Sequence, residues 1–254
     1  EQTATSTSDL AKQAAAKGAP SGTGFLAIEQ TAGRGRRGRQ WLSQKGGMYL
    51  SVVLRPTVKK KYWFALSFAA SLAALDTVRH QLARHFDDKH MPQTGLKWPN
   101  DVFMSGGKIA GILLEAVGPT LVVGSGINIA PVQASVHQGT NHEVSDHQVV
   151  EPVALADIWP QTAGNLPTPH ELASCFMTRL VHWYGKFEQG GFSPIRDEWL
   201  GNALFLGKAL SVWNGTKKIS GVFHDLGMDG ALLLLDDSGH THHITTGDVQ
   251  LLDN

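Results

Sequence analysis

The chain has 254 residues, with 22 Lys and Arg against 22 Asp and Glu, so its formal net charge is zero. That balance excludes an extended nucleic-acid-binding surface and any acidic or basic tail, while leaving room for a local patch. With 42% hydrophobic and 17% charged residues, the composition is that of a globular protein with a sizeable core. A single cysteine, Cys175, excludes an intramolecular disulfide; its place beside Phe176 and Leu180 in an apolar helical pattern predicts a buried structural thiol. The longest uncharged apolar run, residues 62–75, is too short to span a bilayer, and no secretory leader opens the chain, so a cytoplasmic protein without membrane contact is expected.

In chain order, an Ala- and Lys-rich helix is predicted over residues 9–17, preceded by Ser and Thr suited to capping. A strand at 25–30, a Gly/Arg loop and a strand at 48–54 follow, and an Ala-rich core helix covers 63–84. Pro99 holds Trp98 extended. Residues 102–104 and 108–115 form a hairpin about Ser105-Gly106-Gly107, and 121–129 adds a strand interrupted by Gly124 and Gly126. Residues 131–150, polar and rich in His, Gln and Ser, are expected to be a mobile surface segment. Thr168-Pro169-His170-Glu171 carries a capping-box signature, and Leu172, Phe176, Leu180, Trp183 and Phe187 recur at helical spacing after it. A short helix starts at Ser193-Pro194 and runs to about residue 204. Four short strands separated by Asn214-Gly215, Asp229-Gly230 and Ser238-Gly239 then predict a small β-barrel. The expected architecture is α+β: a mixed sheet with flanking helices over residues 1–204, and a C-terminal barrel over 205–254.

Four constellations carry chemistry. Residues 33–41 read Gly33-Arg34-Gly35-Arg36-Arg37-Gly38-Arg39-Gln40-Trp41, with four arginines interleaved among three glycines. Glycine lets a ligand approach backbone N–H groups, and guanidinium groups bind carboxylate or phosphate bidentately, so the loop reads as an anion cradle. A solvated basic loop, or a scrap of an RNA-binding arginine–glycine tract, has the same composition. Lys97-Trp98-Pro99-Asn100-Asp101 places a lysine, an amide and a carboxylate at a strand end, suited either to turn chemistry or to holding a nucleotide. Lys108 enters an apolar strand three residues before Gly111; it either snorkels outward or pairs with an anion held above the opening at Gly111. Gly124-Ser125-Gly126-Ile127-Asn128 implies a close backbone approach, or a simple bulge. His240, His242 and His243 suggest a metal site only weakly, because neighbours along a strand face opposite ways.

The order and spacing of these segments resemble the biotin protein ligases, also called biotin–[acetyl-CoA-carboxylase] ligases, over essentially the whole chain. Residues 30–41 look like the family's biotin- and adenylate-binding loop, and 46–51, 97–101, 108–115 and 124–128 match its later motifs in order. The resemblance implies a fold like that of class II aminoacyl-tRNA synthetases with an SH3-like C-terminal barrel. It also implies ATP-dependent conversion of biotin to biotinyl-5′-AMP, then transfer to a lysine of a biotin carrier domain. Lys108 would be the central catalytic residue, with Arg36 and Asp101. Ser6, Thr7, Ser8, Gln30, Gly33, Arg34, Gly35, Arg36, Lys108, Gly111 and Gly124 would bind biotin. Arg36, Arg39, Trp41, Lys97, Asn100, Asp101 and Asn128 would border the nucleotide. Mg²⁺ would accompany ATP, with no resident metal site. Ser8 stands where the family usually has Asn or Asp. The bifunctional members carry a helix-turn-helix domain ahead of the catalytic one; here the catalytic motifs begin at once, so a monofunctional ligase without DNA binding is expected, a homodimer being allowed. The rivals are a lipoate ligase or acyl transferase of related fold, and an RNA-binding module.

Overall fold

The computed structural model describes residues 2–132, 151–214 and 216–252. Helix α1 (Thr7–Ala16) precedes strands β1 (Gly24–Ala27) and β2 (Met48–Leu54), helix α2 (Ala65–Leu82), and strands β3 (Thr94–Lys97), β4 (Asp101–Met104), β5 (Gly107–Val117) and β6 (Thr120–Ile127). Helices α3 (Pro169–Gly190) and α4 (Ser193–Gly201) lead to strands β7 (Ala209–Trp213), β8 (Lys218–Leu226), β9 (Leu232–Leu235), β10 (Thr241–Ile244) and β11 (Asp248–Leu251). The first six strands form one sheet in the order β1-β2-β6-β5-β4-β3, and the last five form another in the order β10-β9-β8-β7-β11.

The expected mixed sheet is antiparallel at every strand pairing described. Tight turns join β3 through β6, and turns this short permit only antiparallel neighbours; parallel pairing needs a crossover of a dozen or more residues. Among the described residues parallel contacts occur only as single bridges, such as Ala4 with Gln30. That bridge also explains why β1 stops at Ala27, short of the predicted 30: Glu29 and Gln30 turn to pair with the segment ahead of α1. The C-terminal unit has one strand more than predicted, β11, which pairs with β7. Cys175 is half-buried, because it flanks the Leu172–Phe176–Leu180 stripe instead of lying on it. The expected mobile segment lies, from residue 133 to 150, outside the described residues.

The two faces of the six-stranded sheet are treated differently. Met48, Leu50, Val52 and Leu54 alternate onto the face covered by α2 and α3, joined there by Leu121, Val123 and Ile127 of β6. Helix α2 is buried almost all round, which accounts for its many alanines, and the α3 stripe is buried at all five predicted positions. Thr168 and Glu171 form the predicted capping box at the start of α3. This core runs on into the C-terminal sheet: Phe192 and Trp199 meet Phe68 edge-on, and Trp98 Nε1 donates to Gly230 O at 3.0 Å. On the opposite face the covering helix among the described residues is α1, which packs Ala11 and Ala15 on Val53 and Val122. The far end of that face stays open.

Phe176 is fully buried where α3 meets α2. Phe176→Ala is expected to cost about 3–5 kcal/mol of stability, read as a lowered midpoint of denaturant unfolding.

Candidate active site

Cross-strand register builds the open end of the sheet. Lys97 pairs with Asp101, Asp101 with Gly111, Gly111 with Gly126, Gly126 with Tyr49, and Tyr49 with Ala27. One row therefore crosses all six strands, with charge at one end, a phenol and a methyl at the other, and two glycines between. The next row on this face is Leu113, Gly124, Ser51 and Phe25. The missing side chains at Gly111, Gly124 and Gly126 leave a floor beneath a cavity of about 520 Å³, within the usual range for small-molecule sites.

The Trp41 indole rests on that floor. A Cβ at Gly126 would stand 2.6 Å from its Nε1, and one at Gly111 would stand 2.9 Å from its Cζ3, so only glycine fits at both positions. The Lys108 ammonium lies 5.1 Å from the indole ring and 2.5 Å from the Asp101 carboxylate. Lys108 is thus held between an aromatic face and an acid, and it does not snorkel to solvent.

The N-terminus of α1 forms the opposite wall. Gln30 Oε1 accepts from Thr7 N at 2.8 Å and Thr7 Oγ1 at 3.1 Å, while its Nε2 donates to Ser43 Oγ at 2.9 Å. Thr7 Oγ1 lies 2.8 Å from Ser51 Oγ. Ser6 is the N-cap yet makes no side-chain capping bond, so this buried hydroxyl does not serve the helix. Ser8 lines the cavity, but its hydroxyl donates to Glu115, which also pairs with Lys12 at 2.7 Å. Burial pushes the Glu115 carboxyl up, and the hydrogen bonds from Lys12 and Ser8 more than reverse this, so it titrates below the usual glutamate value.

The Gly/Arg loop closes the cavity from above, and its four arginines have separate fates. Arg34 pairs with Asp9 of α1. Arg37 and Arg39 both pair with Asp248 of β11. Among the described residues Arg36 alone of the four has no carboxylate partner; its Nη1 donates to Asn100 Oδ1 at 3.3 Å. Burial lowers its pKa, with Asp101 acting the other way, but a guanidinium stays protonated at neutral pH. Arg36 is therefore an under-solvated cation facing the cavity. Asn100 is fixed in turn by donating to Ile112 O. Burial likewise pulls the Lys97 ammonium below the ordinary lysine value, against the pull of Asp101.

The structure thus brings Ser6, Thr7, Ser8, Gln30, Arg34, Gly35, Arg36, Arg39, Trp41, Lys97, Asn100, Asp101, Lys108, Gly111 and Gly124 to one cavity. Two predicted residues do not line it. Gly33 packs under the loop, where a Cβ would strike Ser43 Oγ and Trp41 O. Asn128 turns its amide to the backbone, donating to Val153 O at 2.9 Å and Lys108 O at 3.4 Å, and so ties the chain after residue 150 to the start of β5. Sequence reasoning missed Ser51, Tyr49 and the stretch from Gly247 to Gln250. The alternation Asp248-Val249-Gln250-Leu251 after a glycine was a legible strand signal, but nothing local connects that strand with the loop. Two histidines of the C-terminal sheet pair with acids in its turns, His242 with Asp236 and His243 with Asp229.

Gly126→Ala is expected to push the indole off the floor. The near-UV circular dichroism of tryptophan should change while the far-UV spectrum is kept; an unaltered near-UV band would contradict the placement.

Comparison with known proteins agrees with this geometry. Residues 1–129 match the model of the Biotin/lipoate A/B protein ligase family. The biotin–[acetyl-CoA-carboxylase] ligase of Paracoccus denitrificans is 34% identical over 84% of each chain. The enzyme of that name from Mycobacterium tuberculosis is 31% identical over 98% of this chain and 86% of its own. The solved biotin protein ligase of Aquifex aeolicus in complex with biotin and ATP superposes with a TM-score of 0.76 at 26% identity, covering 100% of this chain and 97% of that one. Among the described residues, no helix is long and apolar enough to cross a membrane. The chain belongs to the Biotin/lipoate A/B protein ligase family, among its biotin–[acetyl-CoA-carboxylase] ligases.

Proposed function

We propose that this chain activates biotin with ATP and transfers it to a lysine of a carboxylase's biotin carrier domain, with the cavity above the Gly111/Gly126 floor as its single reaction site. The observation that carries the reading is the convergence of Lys108, Asp101 and the carboxylate-free Arg36 at one end of that cavity, opposite the polar α1 wall of Ser6, Thr7 and Gln30. Hydroxyls and an amide suit the ureido ring of biotin, and the cationic end suits its carboxylate and the nucleotide phosphates.

In the first step a carboxylate oxygen of biotin attacks the α-phosphorus of ATP, and the bond to the bridging oxygen breaks to release pyrophosphate. Both reactants are anions, so fixed cations must offset their repulsion and the charge that builds in the transition state. Lys108 and Arg36 take that part, and Arg34 joins them by exchanging Asp9 for the ligand carboxylate. Asn100 holds Arg36 in its direction, while Lys97 and Arg39 flank the phosphates. Trp41 leaves the glycine floor to border the adenine. In the second step the acceptor amine attacks the acyl carbon, the carbonyl–phosphate bond breaks, AMP departs, and the amine's proton passes to a base. Asp101 is the acid positioned to orient that amine once Lys108 engages the phosphate. Mg²⁺ would travel with the triphosphate and offset part of its charge. We place the division between catalytic and C-terminal domains at residues 204 and 205, and the protein in the cytoplasm with its substrates.

The direct test is incubation with labelled biotin, ATP, Mg²⁺ and a biotin carrier domain; covalent label on the carrier supports the reading, and its absence with an active control ligase present contradicts it. Lys108→Ala is expected to reduce biotin-dependent pyrophosphate release by about 10²–10³-fold with the fold intact, near-normal release being the contrary result. Arg36→Gly should let biotinyl-AMP escape faster, measured as adenylate passing a desalting column, because a charge-assisted bond to the phosphate is lost.

A further inference from the structure

The C-terminal unit meets the Gly/Arg loop at the carboxylate of Asp248 and the hydroxyl of Thr246. Asp248, at the start of β11, receives Arg37 Nη1 at 3.3 Å and Arg39 Nη2 more closely, both on its Oδ2. Arg37 Nη2 also donates to Thr246 Oγ1 at 2.7 Å. The backbone between these two arginines is strained: Arg37 has φ 57° and ψ 33°, and Gly38 follows at φ 74°. The left-handed region is unfavourable for a residue with a side chain and persists where surrounding contacts over-determine it. Here the contacts that hold Arg37 come from a separate sheet.

The consequence falls on Arg36. It precedes the left-handed residue directly, so the turn that carries Arg37 to Asp248 of β11, on one side of the cavity, carries Arg36 to Asn100 on another. The strand also serves the cavity wall, since Gly247, Val249 and Gln250 line it beside Asp248. We infer that Asp248 is a positioning residue for adenylate formation: by clamping Arg37 and Arg39 it holds the left-handed turn of the loop and thereby aims Arg36 at the reacting phosphate. The inference rests on the ligase reading and extends it, since it gives the C-terminal sheet a part in the first chemical step.

The test compares full-length wild type with Asp248→Asn, which keeps shape and removes charge, and Asp248→Glu, which keeps charge. Pyrophosphate release under varied ATP gives kcat and KM, a desalting assay gives adenylate escape, and thermal unfolding monitors the fold. Asp248→Asn is expected to lower kcat/KM for ATP about tenfold and to speed adenylate escape comparably. Its far-UV spectrum should be kept, and Asp248→Glu should recover most of the loss. Raising salt should reproduce part of the defect in wild type and add little in Asp248→Asn, because a half-exposed ion pair is screened. Unchanged kinetics in a folded Asp248→Asn overturn the proposal, as does an equal defect in Asp248→Glu. Should Asp248→Asn fail to fold, Thr246→Val removes only the hydroxyl on Arg37: faster adenylate escape there supports the clamp, and wild-type escape overturns it. Inactivity of the wild type itself would instead refute the ligase reading.

Discussion

Everything at the site depends on a sheet that is buried on one face and bare at one end of the other. Helices α2 and α3 cover the first face from β2 to β3, while α1, only ten residues long, covers a corner of the second. Side chains in register across an antiparallel sheet share a face, so the row Lys97–Asp101–Gly111–Gly126–Tyr49–Ala27 lays its chemistry out in a line. Two glycines at its centre weaken the strands locally. Their strands are central, held by ladders on both sides and by the apolar face beneath, which offsets that weakness. The cost is placed where the fold can absorb it, and the gain is a flat floor for an aromatic ring or a ligand.

The charges above that floor are arranged by subtraction. Four arginines occur within six residues, and left together they would repel one another and point into water. Asp9 from α1 takes Arg34, and Asp248 from β11 takes Arg37 and Arg39. These pairs are partly exposed, and such pairs are worth no more than about 1 kcal/mol each, so their effect on stability is small. Their effect on direction is larger, since each fixes where one guanidinium goes and leaves Arg36 facing the cavity. The loop is therefore held at both ends by carboxylates from elements far apart in sequence, which suits a segment that must stay ordered before an anionic ligand arrives.

Much of the fold was legible because local rules and tertiary packing agree. The boundaries of β2 are the predicted 48–54, a nearly continuous apolar run, and the α3 stripe and capping box follow directly from spacing. Disagreement arises where a long-range partner intervenes. β1 ends early because Glu29 and Gln30 pair with the chain before α1, and β11 exists as a strand because β7 offers it an edge. Asn128 looks like a ligand contact from its motif, yet the backbone at Lys108 and Val153 takes its amide.

The amino-acid order alone determined the family, the α+β class and fifteen of the residues that line the cavity, because glycine spacing, clustered arginines and a strand-end lysine are local properties with direct physical meaning. What only the tertiary structure decided was which of those residues face each other. Register placed Gly111 beside Gly126 under Trp41. An acid on α1 and another on β11 separated the four arginines, and Lys108 found Asp101 across a hairpin. Most of those outcomes depend on distances between elements tens to hundreds of residues apart, and no local propensity encodes a distance of that kind.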